Sequence, residues 1–468
     1  MNNTKAGRPA DAPFSNLYFV GAGGIGMANL ERYFLSKGHK VAGYDRTPSA
    51  LTDALSREGV EITFNDTPDE IPERFRDPAN TLVVYTPAVP DDSPILTWFR
   101  HNGFEVVKRA ALLGKITRTT SAICIAGSHG KTTTCSMTAN ILRESAIGCN
   151  AFLGGILRNT GSNLVICEGS EWSVIEADEY DRSFHHLSPT IAVVTSTDPD
   201  HLDIYGDEAG YLEGFSKFTS LIRPGGLLLL HTGLKMQPAT QEGVTVQTYS
   251  GHDEGDWHAE DITFGDGTLS FTLIGPDVRI TDIRLGVPVE INIDNAVAAA
   301  AASLSAGATP EDVRRGIATF RGAKRRFEII RDGKDGGTVL IDDYAHSPNE
   351  VAASITSVRK LYPGRRISVI FQPHLYTRTR DFATEFADAL SKADEVIMPE
   401  IYPARELPIE GVTTDIILDK VKAVNKCYCE RKDLLNLIKN SNFEILMTLG
   451  AADIDRLLPA ISSILDHR

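Results

Sequence analysis

The sequence predicts an α/β protein of three domains, and three observations carry that prediction. Apolar, β-branched runs alternate with helix-like patterns along the chain, as in sheets with parallel strands. Glycine-rich turns at 21–26 and 127–130 each follow such a run and precede a helix pattern. The 468 residues exceed what one hydrophobic core normally organises. We therefore expect a Rossmann-like N-terminal domain, a central P-loop ATPase-like domain with a parallel sheet, and a Rossmann-like C-terminal domain.

The composition is that of an ordinary globular protein, with 42% hydrophobic and 23% charged residues. No apolar run reaches the roughly 18 residues that a membrane span needs, and the polar N-terminus lacks the apolar core of a secretion signal. A net charge of −15 argues against nonspecific nucleic-acid binding. The six cysteines form no metal-binding spacing and are interpreted as reduced packing residues. We expect a cytoplasmic protein, monomeric or homodimeric, without a membrane span or a nucleic-acid partner.

The first predicted domain, 1–118, opens with a βαβ pattern. An apolar run at 17–20 leads into Gly21, Gly23, Gly24 and Gly26, then a helix pattern and a second strand that ends at Asp45. Such glycines with an acidic residue about 20 positions on are the dinucleotide-binding fingerprint. The pattern favours a nucleotide fold without deciding which nucleotide binds, and glycines that serve only close packing remain an alternative.

The second predicted domain, 119–320, carries a phosphate loop directly after the apolar run 122–125. Its glycines turn backbone N–H groups towards a phosphate, Lys131 supplies a positive charge, and the Thr132 hydroxyl suits Mg²⁺. The loop residues are Gly127, Ser128, His129, Gly130, Lys131, Thr132 and Thr133. The competing interpretation is a tight turn with a solvated lysine.

Two further strands of this domain end in polar groups. Glu176 and Asp178 follow the run 172–175, and Asp200 and His201 follow the run 191–195. Because ligands bind at the carboxyl ends of parallel strands, we select Thr132, Glu176 and His201 as metal-ligand candidates. The histidine could equally cap its loop. Short strands between 234 and 290 predict an antiparallel insertion, and 292–306 predicts a helix.

The third predicted domain, 321–468, repeats the strand and helix alternation, with strands at 338–341, 367–371, 395–398 and 445–449. It opens with three cationic residues at 324–326. They could bind an anion, or they could belong to a solvated linker. Polar loops at 342–348 and 372–380 follow two of the strands. Together they could hold a zwitterionic amino acid.

At these residues the chain resembles the Mur ligases, the ATP-dependent amino-acid-adding enzymes of peptidoglycan synthesis. The motifs that carry the resemblance over nearly the full length are 21–27, 127–134, 176–179, 200–203, 292–295, 325–328, 343–346, 371–381 and 402–406. The motifs at 371–374 and 402–406 are similar to those of the branch that adds L-alanine to UDP-N-acetylmuramate. The Mur ligases of later steps have a lysine about fourteen residues after the histidine that corresponds to His201, where this chain has Phe215.

The resemblance implies domains that bind, in order, the UDP substrate, ATP and the amino acid. It implies one or two Mg²⁺ ions, with Mn²⁺ as a substitute, held by Thr132, Glu176 and His201. The UDP-substrate residues it implies are Gly21, Gly23, Gly24, Gly26 and Asp45. The ATP residues it implies are 127–133 with Asn292, Asn295, Arg326 and Asp343. The L-alanine residues it implies are Tyr344, His346, His374 and Arg378, and the catalytic ones are Lys131, Glu176, His201 and Arg326.

Three alternatives stay open at the level of sequence. A sister ligase that attaches a recycled tripeptide to the same UDP-sugar would need only a wider amine pocket. A nicotinamide-dependent dehydrogenase would use 21–45 and leave the phosphate loop incidental. A non-catalytic nucleotide-binding regulator would not need Lys131, Glu176 and His201 together.

Overall fold

The structure, a computed structural model, describes residues 14–252, 254–265, 267–322, 325–333, 336–404 and 406–466. The cation Lys324 and the polar N-terminus lie outside the described residues. The chain divides into two compact units. The first comprises Met1–Gly154, Ser162–Thr248 and Ser305–Gly307, and the second comprises Gly155–Gly161, Tyr249–Leu304 and Ala308–Arg468.

The first unit begins with the predicted βαβ pattern, which is confirmed. The elements are β1 Asn16–Val20, α1 Ile25–Ser36, β2 Lys40–Tyr44, α2 Ala50–Glu58, β3 Glu61–Thr63, β4 Thr81–Tyr85, α3 Pro94–His101, β5 Glu105–Lys108 and α4 Arg109–Thr119. The strands form a parallel sheet in the order β3-β2-β1-β4-β5. This order brings the glycine-rich turn after β1 beside the ends of β2 and β4.

The remaining strands of this unit build the sheet that carries the phosphate loop. The elements are β6 Ser121–Ala126, α5 Lys131–Glu144, β7 Asn150–Leu157, β8 Ser162–Val165, β9 Trp172–Glu176, β10 Ile191–Val194, α6 Leu202–Tyr205, α7 Glu208–Thr219, β11 Leu227–His231 and β12 Thr245–Ser250. The strand order is β8-β7-β9-β6-β10-β11-β12. Because β6 pairs in parallel with β9 and β10, the polar residues that follow these three strands come out at one edge.

The second unit opens with the predicted antiparallel insertion, which is confirmed as β13 Trp257–Gly265, β14 Thr268–Gly275 and β15 Val278–Arg284. Two helices follow, α8 Ile291–Ser305 and α9 Pro310–Thr319. Alanine side chains let α8 bury most of its circumference, because they add little bulk and cost no rotamer entropy.

The C-terminal part of the second unit forms a separate sheet. Its elements are β16 Glu328–Asp332, β17 Val339–Asp343, α10 Pro348–Leu361, β18 Ile367–Phe371, α11 Tyr376–Asp381, α12 Ala383–Leu390, β19 Glu395–Met398, α13 Asp415–Leu418, β20 Asn425–Tyr428, α14 Leu434–Asn440, β21 Ile445–Leu449 and α15 Leu458–Asp466. The strand order is β16-β17-β21-β18-β19-β20, and only β16 runs antiparallel to its neighbour. The four strands predicted here are confirmed.

All six cysteines are free, as predicted, and Cys124, Cys135 and Cys149 are buried packing residues. The packing interpretation is wrong for Cys427, which is exposed because β20 is an edge strand whose residues all face solvent. None of the described helices combines the length and the hydropathy that crossing a membrane requires.

Candidate active site

The phosphate loop joins β6 to α5 through two glycines in conformations that other residues avoid. Gly127 has φ 139°, and a Cβ atom there would lie 2.1 Å from the Oγ1 atom of Thr195. Gly130 has φ 80° and directly precedes the first residue of α5. Both positions therefore require glycine, and the loop leaves the N-terminus of α5 without a side-chain cap.

Lys131 lies at the start of α5 and is held by Glu179. Its Nζ atom is 2.8 Å from the Oε1 atom of Glu179, a carboxylate that is 2% exposed. The ammonium also donates to the carbonyl oxygen of Gly127 and, at 3.5 Å, to that of Ser128. The motif at 176–179 included Glu179, but its contact with Lys131 was not predicted.

Thr132 and Glu176 are brought together by the pairing of β6 with β9. The Thr132 hydroxyl donates to the Glu176 Oε1 atom at 2.9 Å, and the Gly154 N–H donates to the Oε2 atom at 2.9 Å. Burial raises the pKa of Glu176, and the bond from Thr132 opposes that rise. A carboxylate and a hydroxyl therefore meet beside the phosphate loop, and a cation bound there would favour the ionised form of the Glu176 carboxyl.

The other loop residues tie the loop to neighbouring strand ends. The Ser128 hydroxyl donates to the Asp198 carbonyl at 2.6 Å and lies 3.0 Å from the Tyr211 hydroxyl. The His129 N–H donates to the Ser196 hydroxyl at 2.7 Å, while its ring stays exposed. Thr133 lies in the first turn of α5.

His201 adopts φ 52° at the turn before α6. Its ring packs edge-on against Tyr180 at 5.2 Å between centroids, and its Nε2 atom lies 3.6 Å from Asp200 Oδ2. Within the described part of the chain, no three histidine, cysteine or acidic side chains form a cluster that could hold a metal. The structure thus joins Thr132 to Glu176 and leaves His201 with Asp200.

The glycine-rich turn after β1 is held by Asp45. Its carboxylate accepts from the Gly23 N–H at 2.6 Å and from the Thr47 N–H at 3.0 Å. Gly21 has φ 91°, and a Cβ atom there would lie 2.5 Å from Thr86. Gly24 precedes α1 and offers no side-chain cap, so N–H groups of the first turn remain available.

Arg109, the first residue of α4, is a candidate that the sequence interpretation missed. A Cβ atom on Gly26 would lie 2.9 Å from its Nη1 atom, so glycine lets the guanidinium approach the turn. A cavity of about 470 Å³ is lined by Gly24, Gly26 and Arg109 and also by Gly154 and Glu176. One cavity of the first unit therefore joins the turn to the carboxylate beside the phosphate loop. A cation at a strand end beside a glycine-rich turn is a signal that could have identified Arg109.

In the second unit, Asn292 and Asn295 pair with each other at the start of α8. The Asn295 amide donates to Asn292 Oδ1 at 3.0 Å, and the Asn292 amide donates to the Val287 carbonyl at 3.1 Å. Both side chains are buried. This arrangement fixes the orientation of the two amides at the helix start.

Arg325 and Arg326 are adjacent in sequence but differ in their contacts. Arg325 donates to the carbonyls of Ala452 at 2.9 Å and Gly450 at 2.6 Å, and its Nε atom lies 3.3 Å from Asp342, which is 0% exposed. Arg326 is exposed and lies over the Tyr344 ring at 5.9 Å. Arg325 is thus a structural anchor, while the Arg326 guanidinium faces solvent.

Asp343, at the end of β17, accepts from the Phe327 N–H at 3.3 Å. Burial raises its pKa to about 6, opposed by the nearby Ser354 hydroxyl, by the Phe327 N–H and by the charge of Arg326. The adjoining His346 has its Nδ1 atom 3.0 Å from the carbonyl oxygen of Tyr344. These contacts bring the predicted ATP residues Arg326 and Asp343 beside the predicted amino-acid residues Tyr344 and His346.

The loop after β18 carries the other predicted amino-acid residues. The His374 ring stacks on Tyr402 at 5.9 Å between centroids. Two buried polar atoms there have no hydrogen-bond partner among the described residues, the Nη1 atom of Arg378 and the Oε1 atom of Gln372. One is a cationic donor and the other an acceptor, which are the groups that a zwitterion needs.

Phe215 is 0% exposed and packs edge-on against Phe184 at 5.4 Å and Tyr211 at 5.2 Å. Its position therefore serves the hydrophobic core of the first unit and supplies no polar ligand.

Comparison with known proteins agrees with this arrangement. The N-terminal segment 16–120 matches the Mur ligase family, catalytic domain, 125–303 matches the Mur ligase middle domain, and 325–442 matches the Mur ligase, glutamate ligase domain. The chain is 53% identical to the UDP-N-acetylmuramate–L-alanine ligase of Phocaeicola vulgatus, covering 97% of this chain and 98% of that protein. It is 54% identical to the ligase of the same name from Parabacteroides distasonis, covering 96% and 97% of the two chains.

Solved structures agree in fold. The UDP-N-acetylmuramate-alanine ligase of Thermotoga maritima superposes with a TM-score of 0.73 at 26% identity, covering 97% of this chain and 98% of that one. A murein peptide ligase of Psychrobacter arcticus, at 20% identity and a TM-score of 0.58 over 97% and 99% of the chains, shares the fold alone. The predicted three-domain α/β fold is therefore confirmed, and the chain belongs to the Mur ligase family.

Proposed function

We propose that this protein is an ATP-dependent ligase that joins L-alanine to the lactyl carboxylate of UDP-N-acetylmuramate through an acyl phosphate, in the synthesis of peptidoglycan precursors. The observation that carries the proposal is the cavity of about 470 Å³ lined by both the glycine-rich turn and Glu176. A substrate that lies in it reaches from the N-terminus of α1 to the Glu176 carboxylate, which accepts a hydrogen bond from Thr132 of the phosphate loop. The relatives at 53% and 54% identity bear the name of this activity.

The glycine-rich turn and Arg109 would bind the UDP end of the substrate. The N–H groups at the start of α1, which no described side chain caps, favour an anion, and a guanidinium can bond two phosphate oxygens at once. Asp45 serves this site by holding the turn through Gly23. In this proposal Gly21, Gly23, Gly24 and Gly26 shape the diphosphate site, and the dehydrogenase alternative is set aside.

Mg²⁺ fits the residues beside the phosphate loop. The ion prefers oxygen ligands, and it usually binds through one or two carboxylates together with substrate phosphates and water. Thr132 and Glu176 offer a hydroxyl and a carboxylate within 2.9 Å of each other. We propose that they hold the ion, with His201 as a ligand of a second one and Mn²⁺ as a substitute. Bound there, the ion would offset charge on the phosphate chain.

The reaction needs activation because an oxide ion is a poor leaving group from a carboxylate. The lactyl carboxylate oxygen attacks the γ-phosphorus of ATP, and the bond to the β-phosphate oxygen breaks to release ADP. The alanine nitrogen then attacks the acyl carbon, the phosphate leaves, and the amine loses a proton. Lys131 and Arg326 stabilise negative charge on the phosphoryl group in transit.

The remaining predicted residues take roles from their contacts in the second unit. Asn292, Asn295 and Asp343 are proposed to contact ATP. Tyr344, His346, His374 and Arg378 are proposed to surround L-alanine. The Arg378 Nη1 atom, which has no hydrogen-bond partner among the described residues, would face the carboxylate. The proposed domains are 1–118 for the UDP substrate, 119–320 for ATP and 321–468 for the amino acid. A reaction between ATP and a UDP-linked sugar suits the cytoplasm.

The test measures phosphate release from ATP in the presence of Mg²⁺ and UDP-N-acetylmuramate. It compares three conditions: no amine, L-alanine and the recycled tripeptide. We expect release with L-alanine and none without an amine. Release only with the recycled tripeptide would assign the sister activity. No release in any condition would contradict the ligase proposal and return the dehydrogenase and regulator alternatives.

The matched variant is Lys131→Ala. We expect it to lose turnover while it binds UDP-N-acetylmuramate like the wild type, because the glycine-rich turn does not use Lys131. Full turnover in this variant would contradict the role of the phosphate loop.

A further inference from the structure

The ammonium of Lys131 has all its donors engaged. A lysine ammonium carries three N–H groups, and three acceptors surround this one. The carbonyl oxygens of Gly127 and Ser128 belong to the phosphate loop itself, while the carboxylate of Glu179 comes from the turn after β9. An ATP oxygen can therefore bond to Lys131 only by replacing one of the three.

The three contacts differ in what their loss would leave behind. Glu179 is 2% exposed, and its second oxygen, Oε2, has no partner among the described residues. Removing Lys131 from it would leave a buried and uncompensated negative charge, which is strongly unfavourable. The Ser128 carbonyl is the most distant acceptor at 3.5 Å, so its bond is the weakest. The bond to Ser128 is the one that a phosphate oxygen replaces most easily.

The turn that carries Glu179 is itself anchored. The Tyr205 hydroxyl donates to the Glu179 carbonyl oxygen at 2.7 Å, and this bond is buried. The Arg182 guanidinium lies 5.2 Å from the centre of the Tyr205 ring. Glu179 therefore presents its carboxylate from a fixed backbone, whereas the Lys131 side chain is a flexible four-carbon stem.

We propose that Glu179 is a positioning residue for Lys131 throughout the reaction. Lys131 keeps its bond to Glu179 when ATP binds and gives up the Ser128 carbonyl, so its freed N–H points at the phosphate chain. The inference rests on the proposed function, because it assigns Lys131 to ATP. The opposite arrangement would be a latch, in which Glu179 must release Lys131 before ATP can bind.

The two arrangements predict different responses to Glu179→Gln. The substitution removes a negative charge near the phosphates, so ATP binding does not weaken in either case. With a positioning role, the ammonium loses its alignment and kcat falls roughly 10- to 100-fold. The Kd for MgATP then stays within about threefold of the wild-type value. With a latch, MgATP binds more tightly and kcat is kept or raised.

The experiment measures the Kd for MgATP by calorimetry and the kcat for phosphate release with L-alanine. Glu168→Gln is the matched control, because Glu168 is exposed and belongs to the same unit. Tyr205→Phe, which leaves Lys131 untouched, should lower kcat in the same direction by a smaller factor. Melting curves identify variants that merely fail to fold, since such variants lose binding and turnover together.

A fall in kcat at unchanged Kd supports the inference, and tighter MgATP binding at full kcat overturns it. Wild-type values for both constants also overturn it. If Glu179→Gln does not fold, Glu179→Asp decides: it keeps the charge but shortens the reach by one methylene, and a wild-type kcat there overturns the inference. A wild-type protein that releases no phosphate with any amine contradicts the proposed function itself, which is a different result.

Discussion

A methyl group added at Gly154 tests whether catalysis depends on the position of the Glu176 carboxylate. A Cβ atom built on Gly154 would lie 2.4 Å from the Glu176 Oε2 atom and 2.7 Å from its Cδ atom. To restore ordinary van der Waals contact, the carboxylate must retreat by about 1 Å. The retreat loses the bond from the Gly154 N–H and lengthens the 2.9 Å bond from the Thr132 hydroxyl.

The size of the effect follows from this displacement. A misplacement of about 1 Å in a catalytic constellation costs roughly 100-fold in rate. The atoms that must move are the end of a flexible side chain rather than backbone, so little strain remains in the fold. Overpacking of a core typically costs about 1–3 kcal/mol. We expect Gly154→Ala to lower the free energy of unfolding by less than this.

The assay is phosphate release with L-alanine across a range of Mg²⁺ concentrations. Gly154→Ala should show kcat/KM reduced roughly 100-fold and a higher Mg²⁺ requirement, because the displaced carboxylate is a poorer ligand. Gly265→Ala is the control, since no atom of the other described residues, chain neighbours aside, lies within 4 Å of the added Cβ atom. A folded Gly154→Ala protein with wild-type kcat/KM and Mg²⁺ dependence would refute the reasoning.

Three further predictions concern other parts of the molecule. Arg325→Ala should lower the free energy of unfolding by about 3–5 kcal/mol, because it leaves the Asp342 carboxylate buried without its cationic partner. Arg326→Ala should keep the wild-type stability and lower kcat roughly 100-fold or more. Chemical denaturation and kinetics on both variants check the two roles. A stable Arg325 variant together with an unstable but fully active Arg326 variant would contradict them. Folding raises the pKa of Asp343 from 3.8 to about 6, so the folded protein holds an extra proton in that range. As pH rises from 4 to 6, the free energy of unfolding of the wild type should therefore fall by at most about 3 kcal/mol relative to that of Asp343→Asn. Urea unfolding of both proteins at both pH values checks this, and a difference that does not change with pH refutes it. Phe215→Ala should lower the free energy of unfolding by about 3–5 kcal/mol, since the side chain is fully buried among aromatic rings. A melting temperature equal to that of the wild type would show that Phe215 is not part of the core.

The central strands and the phosphate loop could be predicted because their signals are local. The apolar run before Gly127 and the helix pattern after Lys131 specify a strand, a turn and a helix within about 20 residues. The burial of Cys427 was misjudged, because the sequence around it does not reveal whether another strand covers the outer edge of β20.

The chemistry of the motif at 176–179 shows the limit of local reasoning. Its sequence places three acids within four residues, and nothing in that spacing distinguishes their partners. In the structure Glu176 meets Thr132, whereas Glu179 turns back to Lys131. The difference arises because Glu176 still belongs to β9, beside β6, and Glu179 lies in the turn beyond it.

The sequence by itself determined the family, the order of the elements and the residue types that a phosphate and a metal ion require, because each depends on neighbours along the chain. Tertiary structure alone decided which of those groups meet. It gave Arg325 and Arg326 different surroundings, since Arg325 forms an ion pair with the buried Asp342 and Arg326 stays exposed. It also brought Arg109 to Gly26, because β1 and β5 both pair with β4, in a strand order that no local pattern encodes.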